Sequence, residues 1–534
     1  MSKTGLIKSL FIITFILLTT ASSWAEPGEL MILTFSDLHG QLEPFVTEKD
    51  NQTIKVGGLA GIASVVKTIR NLNKDKTLLF STGDSLTGNF FLQFEGEAIF
   101  SALSLLGIDA SALGNHEFDR GEETLAKALT YLDFPIIQSN LESADNSSLS
   151  NRFLSYKIIE KNNLKIGIIG LMTPDLSFIS NAGEKIKVHP DIVESAISTI
   201  KALKQKEDPD LIIALSHIGL EEDIKLATKV PEIDLICGGH SHDLMKKEKE
   251  TVISHADGKK TIIVHPGARG EFMGILSLTV ENRNITRHLW DPIRITGNIE
   301  PEKEMRALIT SYKKQLPGKK VLAFSKEALD CRAKTLRTQE AAAGNLIADI
   351  IREQFKTDIA FQNGGGLRGD RIIPSGNITT EDIDLMLPFE NNISILTLTG
   401  SEIKQVLEQS VSLLPLAYGG FLQVSGLRFD VDIIKTPFKR TKNSASEKPG
   451  ITHTGNRVAN IEILNKDRKY EPLAAEKKYS VALNSFLASG GDGYVILKNR
   501  KKKSTYTVLR SIVKNRLNRM KQISVSKETR IDLK

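Results

Sequence analysis

Gly114-Asn115-His116-Glu117-Phe118-Asp119-Arg120-Gly121 is the stretch on which the reading of this chain turns. It follows a short apolar run, Ile108 to Leu113, that reads as a strand. Asn115 offers an amide oxygen to a cation, and His116 offers an imidazole one residue later. Asp119 comes three residues after His116 and can orient that imidazole if the chain turns helically here. An amide ligand, a general acid and an orienting carboxylate in one turn suit metal-assisted phosphate chemistry. An isolated Asn-His pair is usually only a polar turn, so the rest of the chain has to supply partners.

Upstream, the apolar run Leu30 to Phe35 ends in Ser36-Asp37-Leu38-His39-Gly40. Asp37 and His39 alternate, so in an extended segment they point the same way. Thr77 to Ser81 is a second such run and delivers Asp84, a carboxylate able to bridge two cations with one on each oxygen. Between them, Gly57-Gly58-Leu59-Ala60-Gly61 opens a helical pattern through Ile62, Val65, Val66 and Ile69. It lacks the Lys-Ser/Thr of a P-loop, and close strand–helix packing accounts for its glycines. Downstream, Lys165 to Leu171 is a buried strand without a ligand. Leu211 to Leu215 ends in Ser216-His217, Ile233 to Cys237 in Gly238-Gly239-His240-Ser241-His242, and Ile262 to Val264 in His265-Pro266-Gly267.

Apolar runs of this length bounded by Gly and Asp read as buried strands. Placing the polar residue just past the strand's carboxyl end is the habit of α/β ligand sites. Of the ten histidines, His39, His116, His217, His240 and His242 all sit at such ends. With Asp37, Asp84 and Asn115 they form a mixed N and O donor set sufficient for two neighbouring cations.

Taken in order, Asp37-Leu38-His39, Gly83-Asp84, Gly114-Asn115-His116-Glu117, Ser216-His217 and Gly239-His240-Ser241-His242 resemble the calcineurin-like metallophosphoesterases. The form Gly-Asn-His-Glu-Phe-Asp resembles the 5'-nucleotidase branch. The resemblance implies an α/β fold, a β-sandwich flanked by helices, over the first half. It also implies one cation on Asp37, His39, Asp84 and His242, and a second on Asp84, Asn115, His217 and His240. His242 stands where some relatives carry Gln or Asn, and remains a competent ligand.

From Ile299 to Leu316 the pattern turns helical and charged, with a narrow apolar stripe of Met305, Leu308 and Ile309, and stops at Pro317-Gly318. This predicts a solvent-bridging linker helix over 299–318, dividing a catalytic domain (26–298) from a second α/β domain (319–534). The second domain carries Arg337-Thr338-Gln339-Glu340, a helix opening at Gly344-Asn345, and a strand from Ile359 running into Asn363-Gly364-Gly365-Gly366-Leu367-Arg368. Phe421 and Phe486 lie in glycine-rich loops, where a flat aromatic pair can sandwich a nucleobase. These motifs resemble the C-terminal substrate domain of 5'-nucleotidases. The resemblance implies that Phe421 and Phe486 stack on the base, Asp492 binds the ribose hydroxyls, Asn363 contacts the base, and Arg337 and Arg368 hold the phosphate end or ribose. Arg332 competes with Arg337 for that assignment.

The chain has 534 residues, too many for one core, and its 40% hydrophobic and 25% charged content is that of a globular protein. Its net charge of +6 owes much to a basic C-terminal segment, including Lys501 to Lys503 and Lys514 to Lys521, without the interleaved aromatics of a nucleic-acid platform. A solvated face in a basic C-terminal helix is the expectation there. Residues 1–25 read as a secretory signal. Lys3 and Lys8 precede a nine-residue apolar core, Leu10 to Leu18, too short to span a bilayer, and cleavage is placed after Ala25. No cysteine stands directly after that point to accept a lipid and no GPI signal ends the chain, so export to the periplasm or medium without a membrane anchor is expected. The two cysteines, Cys237 and Cys331, are expected as free thiols.

The expected reaction is hydrolysis of nucleoside 5'-monophosphates by a hydroxide shared between two divalent cations (Zn, Mn, Co or Mg), with nucleotide-sugar diphosphates as further substrates. His116, oriented by Asp119, assists the leaving oxygen. A 2',3'-cyclic-nucleotide phosphodiesterase or 3'-nucleotidase of the same fold is the alternative, although such relatives usually carry Asn where this chain has Asp119.

Overall fold

The computed structural model describes residues 28–49, 52–440, 451–525 and 527–534. The signal-like segment 1–25 lies outside them. Both cysteines are free and buried. No helix among the described residues is long and apolar enough to cross a membrane.

The apolar runs of the first half form two six-stranded sheets packed face to face. In the first sheet, Gly28–Phe35 runs parallel to Thr77–Thr82, which runs parallel to Ala110–Ala112. In the second, Leu211–His217 lies between Leu164–Met172 and Leu235–Gly238, all parallel, and Lys260–Val264 continues the set. Thr77–Thr82 and Leu211–His217 are buried along their whole length. That burial is why they read as continuous apolar runs rather than alternating ones. Leu30, Ile32, Leu78 and Phe80 from one sheet interdigitate with Ile168, Ile213 and Ile236 from the other. The helix Leu59–Asn73 and the helix Glu97–Leu106 cover the outer face of the first sheet. Because the parallel strands share a direction, their carboxyl ends emerge together along one rim of the sandwich.

The helix expected over 299–318 is the shorter segment Lys303–Lys313, started by the Glu302 side chain accepting from the Met305 amide at 2.9 Å. It does not bridge solvent. Met305 and Ile309 are buried in the first unit's core. Tyr312 bonds Glu97 (3.1 Å), Lys313 bonds Glu43 (2.6 Å) and Glu302 bonds Lys67 (2.9 Å). A stripe of a few apolar residues suffices to dock a helix when a complementary groove exists, and the sequence shows the stripe but not the groove. Residues 317–320 that follow are exposed.

The second unit is built on a five-stranded sheet in the order Leu422–Ser425, Ile359–Asn363, Lys478–Asn484, Asn392–Thr399, Lys502–Val508. Ala342–Phe355 and Leu509–Met520 pack on one face and Gly400–Ser410 on the other. The basic helix Leu509–Met520 is less solvated than its charge suggests. Lys514 pairs with Asp384 at 2.6 Å and Arg516 with Glu353 at 2.7 Å.

Candidate active site

Along the rim, Asp37, His39, Asp84, His240 and His242 all sit in the left-handed backbone region, with φ of 50°, 48°, 53°, 76° and 60°. Non-glycine residues adopt it at a cost of order 1–3 kcal/mol each, and clusters of them belong to functional sites. The surroundings hold them there. The Asp37 amide donates to Gly83 O (3.0 Å) and the His39 amide to Asp84 O (2.8 Å). Gly114 packs so closely on Asp84 and His217 that a Cβ there would lie 2.3 Å from Asp84 Oδ1 and 2.6 Å from His217 Cε1. That close approach brings Asn115 beside them.

The ligand atoms of Asp37, His39 and His242, those of His39, Asp84 and His116, and those of Asp84, His217 and His240 each lie within 4.8 Å of one another. Asp37 Oδ2 accepts from Ser36 Oγ (2.6 Å) and the His240 amide (3.1 Å), which turns Oδ1 inward. Asp84 differs from expectation. Its Oδ1 accepts from the His116 amide at 2.8 Å. Only Oδ2 faces the cluster, 3.2 Å from His217 Nε2, 3.9 Å from His116 Nε2 and 4.0 Å from His39 Nε2. Oδ2 is thus the Asp84 oxygen nearest the imidazoles, while Oδ1 is held by the turn at 114–118.

The cluster carries the mark of a cation site. His217 Nδ1 lies 2.6 Å from the Thr82 carbonyl, which can only accept, so the proton is on Nδ1. The lone pair of Nε2 then points at a carboxylate oxygen. His39 and His242 present their Nε2 atoms to each other at 3.0 Å, and His242 Nε2 is 3.3 Å from Asp37 Oδ1. Asp37 Oδ1, Asn115 Oδ1 and His217 Nε2 are buried with no hydrogen-bond partner. Lone pairs aimed at one another in a dry site are costly unless a cation lies between them. Without a cation there, burial opposes charge on His217, yet the Asp84 and Asp37 carboxylates outweigh it and raise its pKa to about 10, so a proton takes the place on Nε2 that a cation would hold. Burial, then His217, takes His240 down to about 4.

His116 sits at the edge of the cluster. Its Nδ1 is 2.6 Å from Asp119 Oδ2, across the 3-10 turn Asn115–Phe118. Its Nε2 is 3.1 Å from Arg368 Nη2 of the second unit. A guanidinium only donates, so Nε2 accepts and Nδ1 carries the proton.

Arg337 is half-buried, with its Nε lacking a partner, and burial followed by the charge on Arg368 lowers its pKa to about 10. Arg332 is instead engaged by Asp330, through Nε at 2.9 Å and Nη2 at 2.6 Å. Asp492 accepts from Asn363 Nδ2 at 2.6 Å, and burial pushes its pKa up to about 6. Asn363 is only 2% exposed, and its oxygen also accepts from Asn484 (2.8 Å) and Gln362 (3.2 Å). It orients Asp492 rather than facing an open pocket.

Phe486 is half-buried, its ring lying over Gly491, where a Cβ would meet it at 2.6 Å. Phe421 corrects the sequence reading. It is 0% exposed and packs with Phe361, Leu407 and Val411 in the second unit's core. Its neighbouring glycines serve other needs, and its ring enters the core just before the strand Leu422–Ser425. The aromatic that does face the site is Phe389, which sequence reasoning missed. Its ring stacks 6.1 Å from that of His116 at 21°, with Arg368 Cζ 5.9 Å above it. Its loop meets the Phe486 segment through Ser485 Oγ donating to Asn391 Oδ1 at 3.1 Å.

The chain is similar to known proteins. The family model described as calcineurin-like phosphoesterase matches residues 30–244, and that described as 5'-nucleotidase, C-terminal domain, matches 321–499. The 5'-nucleotidase of Bos taurus is 31% identical over 89% of this chain and 86% of its own. The chain belongs to the 5'-nucleotidase family. A solved 5'-nucleotidase precursor from Thermus thermophilus is 30% identical, with a TM-score of 0.84 over 95% of this chain and 99% of that one. The NAD nucleotidase of Haemophilus influenzae is 25% identical, with a TM-score of 0.57 over 95% and 99%. The protein is thus a hydrolase of the 5'-nucleotidase type, and its metallophosphoesterase fold implies divalent metal cofactors.

Two further residues of this 5'-nucleotidase chain support the site without touching its centre. Glu117, buried, accepts from the amides of Asp84 (2.9 Å), Ser85 (2.6 Å), Leu86 (3.0 Å) and Gly114 (2.7 Å). It fastens the Asp84 loop to the Asn115–His116 turn. Asp223 takes Ser216 Oγ at 2.5 Å and pairs with His265 at 2.8 Å. It joins the residue before His217 to Gly238, where a Cβ would lie 2.1 Å from His265 Nε2. Glu117 lies in a quoted motif, but its partners are distant in sequence. Asp223 sits in a helix whose polar pattern gives no sign of burial.

Proposed function

We propose that this chain hydrolyses nucleoside 5'-monophosphates, with the phosphate on the rim cluster and the base on the second unit. The observation that carries the reading is the meeting of Arg368 with His116 at 3.1 Å. It supports a single pocket that spans metal cluster, guanidinium pair and aromatic platform. Asp37, His39, Asp84 and His242 would hold one divalent cation and Asp84, Asn115, His217 and His240 another, with Asp84 common to both sets. Such ions supply charge neutralisation on the phosphoryl oxygens and an activated water.

The chain's own side chains do the rest. Asp119 fixes the His116 ring through Nδ1, so that Nε2, once protonated and released from Arg368, would face the leaving oxygen as proton donor. Arg368, beside both His116 and Phe389, and Arg337, near enough to feel the charge on Arg368, would supply positive charge to the phosphate end or ribose. Asp492, held by Asn363, presents a carboxylate suited to vicinal hydroxyls. Phe389 and Phe486 offer the faces for the base. The buried orphan oxygens of Asp37 and Asn115 support metal binding on the same reading.

Likeness to a protein named as an NAD nucleotidase favours a second activity, cleavage of nucleotide diphosphate esters. Initial rates on 5'-AMP, UDP-glucose, NAD and 2',3'-cyclic AMP test both. Turnover of the cyclic ester with none of 5'-AMP would sink the 5'-nucleotidase reading.

A further inference from the structure

Glu390 follows Phe389 directly, and its carboxylate is divided between the two halves of the protein. Oε2 accepts from Arg120 Nη2 of the first unit at 3.1 Å, and Oε1 faces Arg510 Nη2 of the second at 3.7 Å. The loop's backbone carbonyls are held by the second unit. Arg510 donates to the carbonyls of Leu387 (3.1 Å) and Pro388 (3.3 Å), and the Leu509 amide donates to Asn391 O (2.8 Å). Glu390 is therefore where the loop bearing Phe389 reaches across. On the other side Arg120 is pre-seated. Its guanidinium lies 5.6 Å over the Phe91 ring, and Nη2 also approaches Glu95 Oε1 at 3.4 Å. Arg120 follows Asp119, the residue that orients His116. One ion pair thus joins the immediate neighbour of the imidazole's partner to the immediate neighbour of the aromatic platform.

We propose that the Arg120–Glu390 pair is a positioning latch. It sets Phe389 over His116 when the two units meet, and so favours phosphate esters that carry a nucleobase. It rests on the reading of Phe389 as base platform. The pair's side chains are 16% and 43% exposed, and an ion pair that open contributes little to fold stability. Its consequence is for geometry: among the described residues, no other first-unit side chain holds Glu390.

The test uses the full chain with Arg120→Ala, Glu390→Ala, the double variant and Arg120→Lys, assayed on 5'-AMP and 4-nitrophenyl phosphate. Each alanine variant should lower kcat/KM for 5'-AMP about three- to ten-fold, and the double variant should fall no further, because both remove the same contact. Arg120→Lys should keep most of the activity, and 4-nitrophenyl phosphate turnover and Tm should stay near wild type. Additive losses, equal losses on both substrates, or unchanged 5'-AMP turnover in the single variants overturn the latch. A wild-type enzyme that turns over 4-nitrophenyl phosphate but ignores 5'-AMP overturns the nucleotidase reading and the latch with it.

Discussion

His116 Nε2 and Arg368 Nη2 lie 3.1 Å apart, although 252 residues separate them in the chain. The imidazole belongs to the sandwich and the guanidinium to the second unit, so His116 Nε2 has this partner only when the two units meet. Burial works against charge on His116, but Asp119 and Asp84 outweigh it and raise its pKa.

His116→Ala should lower kcat by roughly 10²–10⁴, the range for a lost general acid. Metal content measured on the same preparation should be unchanged. Asp119→Asn should act in the same direction and less severely. 4-Nitrophenyl phosphate, whose leaving group needs little protonation, should partly rescue both. Loss of metal in His116→Ala would instead make His116 a ligand.

Chelation followed by dialysis should silence the enzyme, and a divalent cation should restore it. Asp84→Ala should abolish turnover and remove bound metal, because Oδ2 lies near both His39 and His217. Full activity in excess chelator after long dialysis contradicts the assignment.

Phe389→Ala and Phe486→Ala should each weaken kcat/KM for 5'-AMP by ~1–3 kcal/mol, the usual worth of a base–aromatic stack, and spare 4-nitrophenyl phosphate. Phe421→Ala should behave differently. A buried core ring lost to alanine costs ~3–5 kcal/mol of stability, so Tm should fall and both substrates should suffer alike. A selective loss on 5'-AMP in Phe421→Ala, with Tm intact, would return that ring to the substrate.

Glu117→Gln should lower stability by ~1–3 kcal/mol, the cost of leaving a buried donor unpaired. Its amide nitrogen cannot accept, so part of the set formed by the Asp84, Ser85, Leu86 and Gly114 amides loses its acceptor. Thermal unfolding and metal titration of the variant would check this. An unchanged Tm would mean the loops hold without it.

The gathering of the candidate metal donors was legible because each follows a buried strand within a few residues. Parallel strands then carry Asp37, Asp84, Asn115, His217 and His240 to the same rim whatever else the chain does. The substrate side was less so. Leu387-Pro388-Phe389 gives no local sign of its place, since nothing nearby in sequence tells that Arg510 holds the Leu387 and Pro388 carbonyls from behind. Phe421 reads as exposed because glycines precede it, yet Gly420 yields to the Tyr418 ring, where a Cβ would lie 2.3 Å from Cζ. The family resemblance implies a base contact for Asn363, while the partners its side chain has here, Asn484 and Asp492, come from a strand and turn more than 100 residues away. The linker's stripe was visible, but not the surface it would cover.

The docking of Lys303–Lys313 bears on how the molecule can be cut. A recombinant fragment ending at residue 298 would lack Met305 and Ile309, both buried against the first unit. It would expose a sticky apolar scar and tend to precipitate. A fragment ending at 316 would carry its own plug. Limited proteolysis should accordingly nick the exposed bonds at 317–320 and release two pieces, the earlier one still wearing the helix.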